Sequence, residues 1–148
     1  MISKILVPTD GSGIAQKAAK YAVRFAKEMG AGVVLLNVID KRFIVSRSIP
    51  AVASPTHLTD TIEDYLKQAA EAFMKEVEQL CRKNNVRSKA LIRRGHPVEE
   101  ILKEAKKSKA DLIIVGSHGK SALKAAVLGS VTMGVMQATK IPVLIVRR

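Results

Sequence analysis

Aromatic residues are scarce in this chain of 148 residues: three Phe, two Tyr and no Trp, 3% in all. Stacking bases on aromatic platforms, the usual device of single-strand nucleic-acid binders, therefore has little to work with. Cysteine is scarcer still. Cys81 stands alone, which excludes an intrachain disulfide and a multi-cysteine zinc site and suits a reducing compartment. No apolar run approaches the roughly 18 residues of a membrane-spanning helix. No secretory signal is visible either, because the opening apolar run meets Pro8 and Asp10 too soon for a signal core. The expectation is a soluble, cytoplasmic protein. Acidic residues are also in deficit: 13 Asp and Glu stand against 25 Lys and Arg, a net charge of +12. Such an excess attracts nucleic acid, an anionic membrane or nucleotides, and composition does not choose among them. The remainder is globular in character, 47% hydrophobic and 26% charged, with a length that fits one domain spanning 1–148.

Hydrophobic periodicity orders the chain. Residues 2–7 form a short apolar run stopped by Pro8, Thr9, Asp10 and Gly11, which predicts a buried strand and a turn. Ser12 is placed to cap a helix with Ala15, Ala18, Ala19, Ala22 and Ala26 on one face, and Gly30 to end it. Residues 32–39 (GVVLLNVI) are continuously apolar rather than alternating, as in parallel strands covered on both faces. Residues 40–58 show no period and predict a long loop. Asp60 with Glu63 resembles a capping pair that opens a long helix, with Cys81 inward and Asn84 beyond its end. Strands follow at 86–93, 111–115 and 141–146. A helix starts at Pro97, and another covers 122–139 with interruptions at Gly129 and Gly134. This β-α-β-α-β-α-β-α-β order implies an open parallel α/β sheet.

In such sheets ligands sit beyond the carboxyl ends of strands. The segment after the fourth strand carries Gly116, Ser117, His118 and Gly119, then Gly129, Ser130, Val131 and Thr132 nine residues later. Glycines let backbone approach a ligand, successive N–H groups make a concave donor nest, and a helix start at Gly129 and Ser130 favours phosphate. The Ser130 and Thr132 hydroxyls add donors, and Lys120 and Lys124 add positive charge. From Leu112 to Arg148 there are five basic residues and no acidic one. A Walker A loop is excluded, because its first glycine would fall on Ile114. No G-x-G-x-x-G follows the first strand, so the dinucleotide fingerprint is absent. An RNA-binding KH loop joins two helices, whereas this loop follows a strand.

Gly116, Gly119, Gly129 and Ser130 reproduce G-x2-G-x9-G-[ST] with its spacing intact. With the opening Ile5-Leu6-Val7-Pro8-Thr9-Asp10-Gly11-Ser12 and the close Ile141-Pro142-Val143-Leu144-Ile145-Val146, the chain resembles the nucleotide-binding universal stress proteins over its whole length. The resemblance implies a doubly wound, flavodoxin-like sheet of five parallel strands in the order 3-2-1-4-5, with helices on both faces. It implies that Asp10 contacts the nucleoside, that Pro8 and Thr9 line the pocket, and that Val38 lies beside adenine. Gly116, Ser117, His118 and Gly119 would surround ribose and phosphates, and Gly129, Ser130, Val131 and Thr132 would bind phosphates. ATP or another adenine nucleotide, Mg²⁺ or Mn²⁺ on its phosphates, and a homodimer through Val143, Leu144, Ile145 and Val146 come with it. Met133 and Gly134 depart from the polar residues common in the family and question the local helix.

Blander readings stand beside these. Asp10 can simply close a turn. Ser117 lies outside a nucleophile elbow, and His118 has no second histidine at metal spacing. His57 and His96 read as surface and turn residues, and Cys81 as packing. Arg82, Lys83, Arg87, Lys89, Arg93 and Arg94 form a basic cluster without acids in sequence, either a solvated edge or a nucleic-acid patch. The expected function is nucleotide binding in stress signalling, with no catalytic residue assigned. The alternatives are an interaction module that uses the basic face on an anion or nucleic acid, and a slow nucleotide hydrolase.

Overall fold

The computed structural model describes residues 1–40, 42, 55–119 and 128–148. Strands β1 (Lys4–Pro8), β2 (Gly32–Ile39), β3 (Ser88–Arg94), β4 (Leu112–Gly116) and β5 (Val143–Val146) alternate with helices α1 (Gly13–Met29), α2 (Pro55–Lys83), α3 (Pro97–Ser108) and α4 (Ser130–Ala138). They form one sheet in the order β3-β2-β1-β4-β5, and every pairing is parallel. This is the order expected from the resemblance.

The continuous apolar runs work because each strand feeds two cores by alternation. Ile5 and Val7 of β1 pack with Ala18, Ala22 and Val23 of α1 and with Met74, Val77 and Cys81 of α2. Leu6, between them, packs on the other face with Ile101 and Ala105 of α3 and Val135 of α4. Each large aliphatic side chain buried in this way contributes about 1.5–3 kcal/mol. The alanine stripe of α1 is fully buried and lets that helix lie close to the sheet.

Local capping follows the sequence closely. Ser12 Oγ accepts from Ala15 N at 3.3 Å at the start of α1. Gly30 ends the helix in the left-handed region, φ 67°, where a Cβ is unfavourable. His96 precedes α3 as its cap residue and Pro97 takes the first turn, where a missing N–H costs nothing.

Three elements differ from expectation. Helix α2 begins at Pro55, so the last residues of the predicted loop, 55–58, are helical and Asp60 with Glu63 lies inside the helix rather than at its mouth, while residues 41 and 43–54 lie outside those described. A proline read as a loop marker is here a helix starter. Glu63 pairs instead with Arg94 of β3, Oε1 to Nε 2.6 Å. Strand β5 starts at Val143, not 141, because Pro142 has no N–H to give; its carbonyl accepts from Ile113 N at 3.0 Å. Helix α4 runs unbroken through Gly134. Of the helix expected over 122–139, residues 122–127 lie outside those described, as do Lys120 and Lys124.

Candidate functional site

The chain leaves β1 toward α1 on one face and leaves β4 toward α4 on the other. Adjacent parallel strands whose exits diverge leave a crevice at their carboxyl ends. The glycine motif and the Asp10 turn meet there.

The β1 end is fixed first. Thr9 N donates to Leu36 O at 2.9 Å, and Asn37 Nδ2 donates to Thr9 O at 2.9 Å. Asn37 is buried, the one polar side chain in the apolar run of β2, and it was not among the expected site residues. A polar residue in a strand covered on both faces is a readable signal, since burial requires a partner. Thr9 Oγ1 accepts from Gly11 N at 3.2 Å, and Asp10 Oδ1 accepts from Ser12 N at 2.9 Å. The turn that the bland reading of Asp10 required is therefore present. The other carboxylate oxygen of Asp10 lies close to Gly119: a Cβ at Gly119 would be 2.6 Å from Asp10 Oδ2.

The β4 end is stitched to the start of α4. Ser117 N donates to Val146 O at 2.9 Å, and Gly129 N donates to Ser117 O at 2.7 Å. A Cβ on Gly129 would come 3.3 Å from His118 Cα and 3.6 Å from Gly119 N. The two halves of the motif thus touch backbone to backbone, although nine residues separate them. A Cβ on Gly116 would meet the Ile14 carbonyl carbon and oxygen at 3.3 Å, so the first turn of α1 also closes on this loop. Ser117 is buried, with Oγ 2.8 Å from His118 Nδ1.

The remaining expected residues divide by environment. Ser130 is exposed at the first position of α4, and Val131 packs against the core on the α3 side. Thr132 is buried and its hydroxyl donates to Gly116 O at 2.8 Å. In this structure that hydroxyl ties the loop to the start of α4. The first-turn N–H groups of Ser130, Val131 and Thr132 have no intrahelical acceptor, which is the anion-favouring feature of any helix start. Pro8 ends β1, and Val38 is half-buried near the end of β2, packed against the α3-side core.

Beyond Val38, Asp40 and Arg42 border a surface hollow with Arg94, Gly95 and His96. Burial opposes ionisation of Asp40, but hydrogen bonds and charge from Arg42 outweigh it and hold the carboxyl below its ordinary value. The ion pair measures 3.1 Å.

The chain matches the universal stress protein family over residues 1–147. The protein belongs to that family. Universal stress protein YxiE of Bacillus subtilis is 35% identical, the match covering 99% of this chain and 100% of that one. The solved structure of MJ0577 from Methanocaldococcus jannaschii superposes with a TM-score of 0.85 at 36% identity, covering 100% of this chain and 97% of the other. More distant structures include a universal stress protein in complex with cAMP, TM-score 0.68 at 22% identity, covering 99% and 97%. Another is the Archaeoglobus fulgidus protein in complex with dAMP, TM-score 0.65 at 15%, covering 99% and 98%. At those two identities the likeness is one of fold alone. Among the described residues of this family member, no helix is long and apolar enough to cross a membrane.

Proposed function

We propose that this universal stress protein binds an adenine nucleotide, ATP in the first instance, in the crevice between the carboxyl ends of β1, β2 and β4. The observation that carries the reading is the contact of Gly129 with the 117–119 loop beside Asp10. It makes one continuous backbone surface from two distant glycine segments, with a helix start at its edge. The fit to a phosphate chain is that of a cradle a Cβ would fill, most tightly at Gly119. Ser130, Gly119 and the first-turn N–H groups of α4 would face the phosphates. Thr9, Asp10 and Val38 would face the nucleoside, while Thr132 acts through Gly116. A divalent ion would ride on the phosphates. The complexes with cAMP and dAMP among proteins of this fold support the ligand class.

The second part of the reading is a cytoplasmic homodimer through Val143, Leu144, Ile145 and Val146. Strand β5 is a sheet edge, and its first three residues are only half-buried. Nearby α4 leaves Met133 and Met136 exposed. The dimer would serve signalling rather than turnover.

Titration calorimetry with ATP, with and without Mg²⁺ or Mn²⁺, tests the site. Saturable binding that disappears in Gly119→Val while the circular dichroism spectrum persists supports it. No heat at millimolar ATP with either metal rejects it. Light scattering tests the dimer, and a monomer at all concentrations rejects that part alone.

A further inference from the structure

The charge excess does not lie where the sequence places it. Within the basic cluster of 82–94, Arg93 Nη2 lies 3.7 Å from Glu104 Oε2 and Arg94 pairs with Glu63. Both acids come from helices remote in sequence, so the β3 end of the cluster is largely neutralised. Arg82, Lys83 and Arg87 remain exposed, with no ion pair among the described residues.

A second basic row joins them. On α1, Lys17, Lys20, Arg24 and Lys27 recur at intervals of three and four residues and are all exposed, opposite the buried alanine stripe. That spacing puts them on one helical face, spread over about 15 Å. The sole acid of α1 is Glu28. Lys27 Nζ reaches Asn84 Oδ1 at 3.4 Å, and Lys27 and Arg87 line the same hollow. The row on α1 therefore runs into the last turn of α2 and the entry to β3. The exposed acids of α2, Asp64, Glu71 and Glu76, lie earlier along that helix.

We propose that this face, Lys17, Lys20, Arg24 and Lys27 continued by Arg82 and Arg87, docks on the phosphate backbone of duplex nucleic acid without reading its sequence. Charge complementarity selects a polyanion. The alanine stripe of α1 is consumed by the core, and the large apolar residues the helix leaves exposed, Tyr21 and Met29, are too few to form the apolar face an interfacial helix requires. Single strands are bound by stacking platforms, and the exposed ring of α1, Tyr21, is already stacked on Phe25 with centroids 6.3 Å apart. A regular duplex needs only the row of charges. The face lies along α1 toward its carboxyl end, away from the glycine crevice, so the proposal stands independently of nucleotide binding.

The test is fluorescence anisotropy of the full chain with two labelled DNA duplexes of unrelated sequence, over a series of KCl concentrations. Four phosphate contacts give a log–log salt slope of about −3.6, hence about a 150-fold loss of affinity for a fourfold rise in salt. The triple variant Lys17→Glu, Lys20→Glu, Arg24→Glu should make the slope shallower by about 0.9 for each phosphate contact it removes, or abolish binding, on both duplexes. The matched variant Lys103→Glu, Lys106→Glu, Lys107→Glu makes the same change of net charge on exposed positions of α3, on the opposite face. It should keep the slope. Circular dichroism confirms that each variant is folded, and Lys20→Gln with Arg24→Gln replaces the triple if it is not. Equal losses in both triples would mean bulk charge alone and would overturn the proposal. So would no binding at low salt, or binding only to sedimented phosphatidylserine vesicles.

Discussion

Replacing Gly134 by alanine separates helix propensity from packing at the helix that follows Gly129. Gly134 is the fifth of nine residues in α4, where alanine is favoured over glycine by about 1 kcal/mol. Against that, a Cβ there would lie 2.8 Å from Val98 Cγ2 and 3.5 Å from Cγ1, both in the first turn of α3. Valine is stiff at χ1 and cannot swing aside cheaply, so the two helices must separate. Overpacking of this kind costs about 1–3 kcal/mol. The net expectation for Gly134→Ala is a destabilisation of about 0–2 kcal/mol despite the better helix former. In a Val98→Ala background the obstruction is gone, and the same substitution should stabilise by up to about 1 kcal/mol. The sign inversion is the signature, with a coupling of about 1–3 kcal/mol, in the range seen for residues in contact. Urea unfolding followed by circular dichroism on the four proteins of the cycle measures it. If Gly134→Ala stabilises the unmodified protein, the close approach of α3 and α4 is wrong. The position of Gly129 over the 117–119 loop, which depends on where α4 lies, would then lose its support.

Other outcomes follow from single contacts. Asp111 accepts from Ser3 N, Ser3 Oγ and Lys4 N at 2.8–3.0 Å, and these donors, the Ser3 N–H first, hold its carboxyl below the ordinary value of 3.8. A depressed folded pKa gives stability that is present above the unfolded value and lost as pH falls through the folded one. The stability gap between the wild type and Asp111→Ala should therefore be constant above about pH 4 and close below it. A gap that does not change down to acid pH removes the argument. Cys81 is fully buried, and burial raises its thiol pKa above 9.0. A disulfide reagent should label it only on unfolding, and rapid stoichiometric labelling of the native protein would contradict its packing role. Glu104 is 8% exposed at its side chain and faces Arg93, so Arg93→Ala leaves a buried carboxylate without its partner. It should cost about 1–3 kcal/mol, more than Lys89→Ala, which faces solvent. Equal effects in thermal unfolding would refute that ranking.

The residues legible in advance are those whose neighbours lie within a turn or two along the chain. Ser12, Gly30 and Pro97 announce helix ends because caps are local. The apolar runs of β1, β2 and β4 announce a sheet covered on both faces, and the family resemblance supplies its strand order. The glycine spacing from Gly116 to Gly129 announces close backbone approach, which is a property of glycine itself. Even the misplaced start of α2 is a local error, since Pro55 suits a loop and a helix start equally.

Tertiary structure decided everything that depends on residues far apart. Thr132 looked like a free donor, but its hydroxyl donates to the carbonyl of Gly116, sixteen residues away. Asn37 became a clamp on β1 only when β2 came alongside. Arg93 and Arg94 looked unopposed until α3 and α2 brought Glu104 and Glu63 to them. The row on α1 joined Arg87 across a hollow that no sequence interval connects. The sequence by itself determined the helix and strand periods and the total charge of +12. Which charges remain uncompensated is a matter of distance in space, because Coulomb attraction and hydrogen bonds act over a few ångströms regardless of separation along the chain.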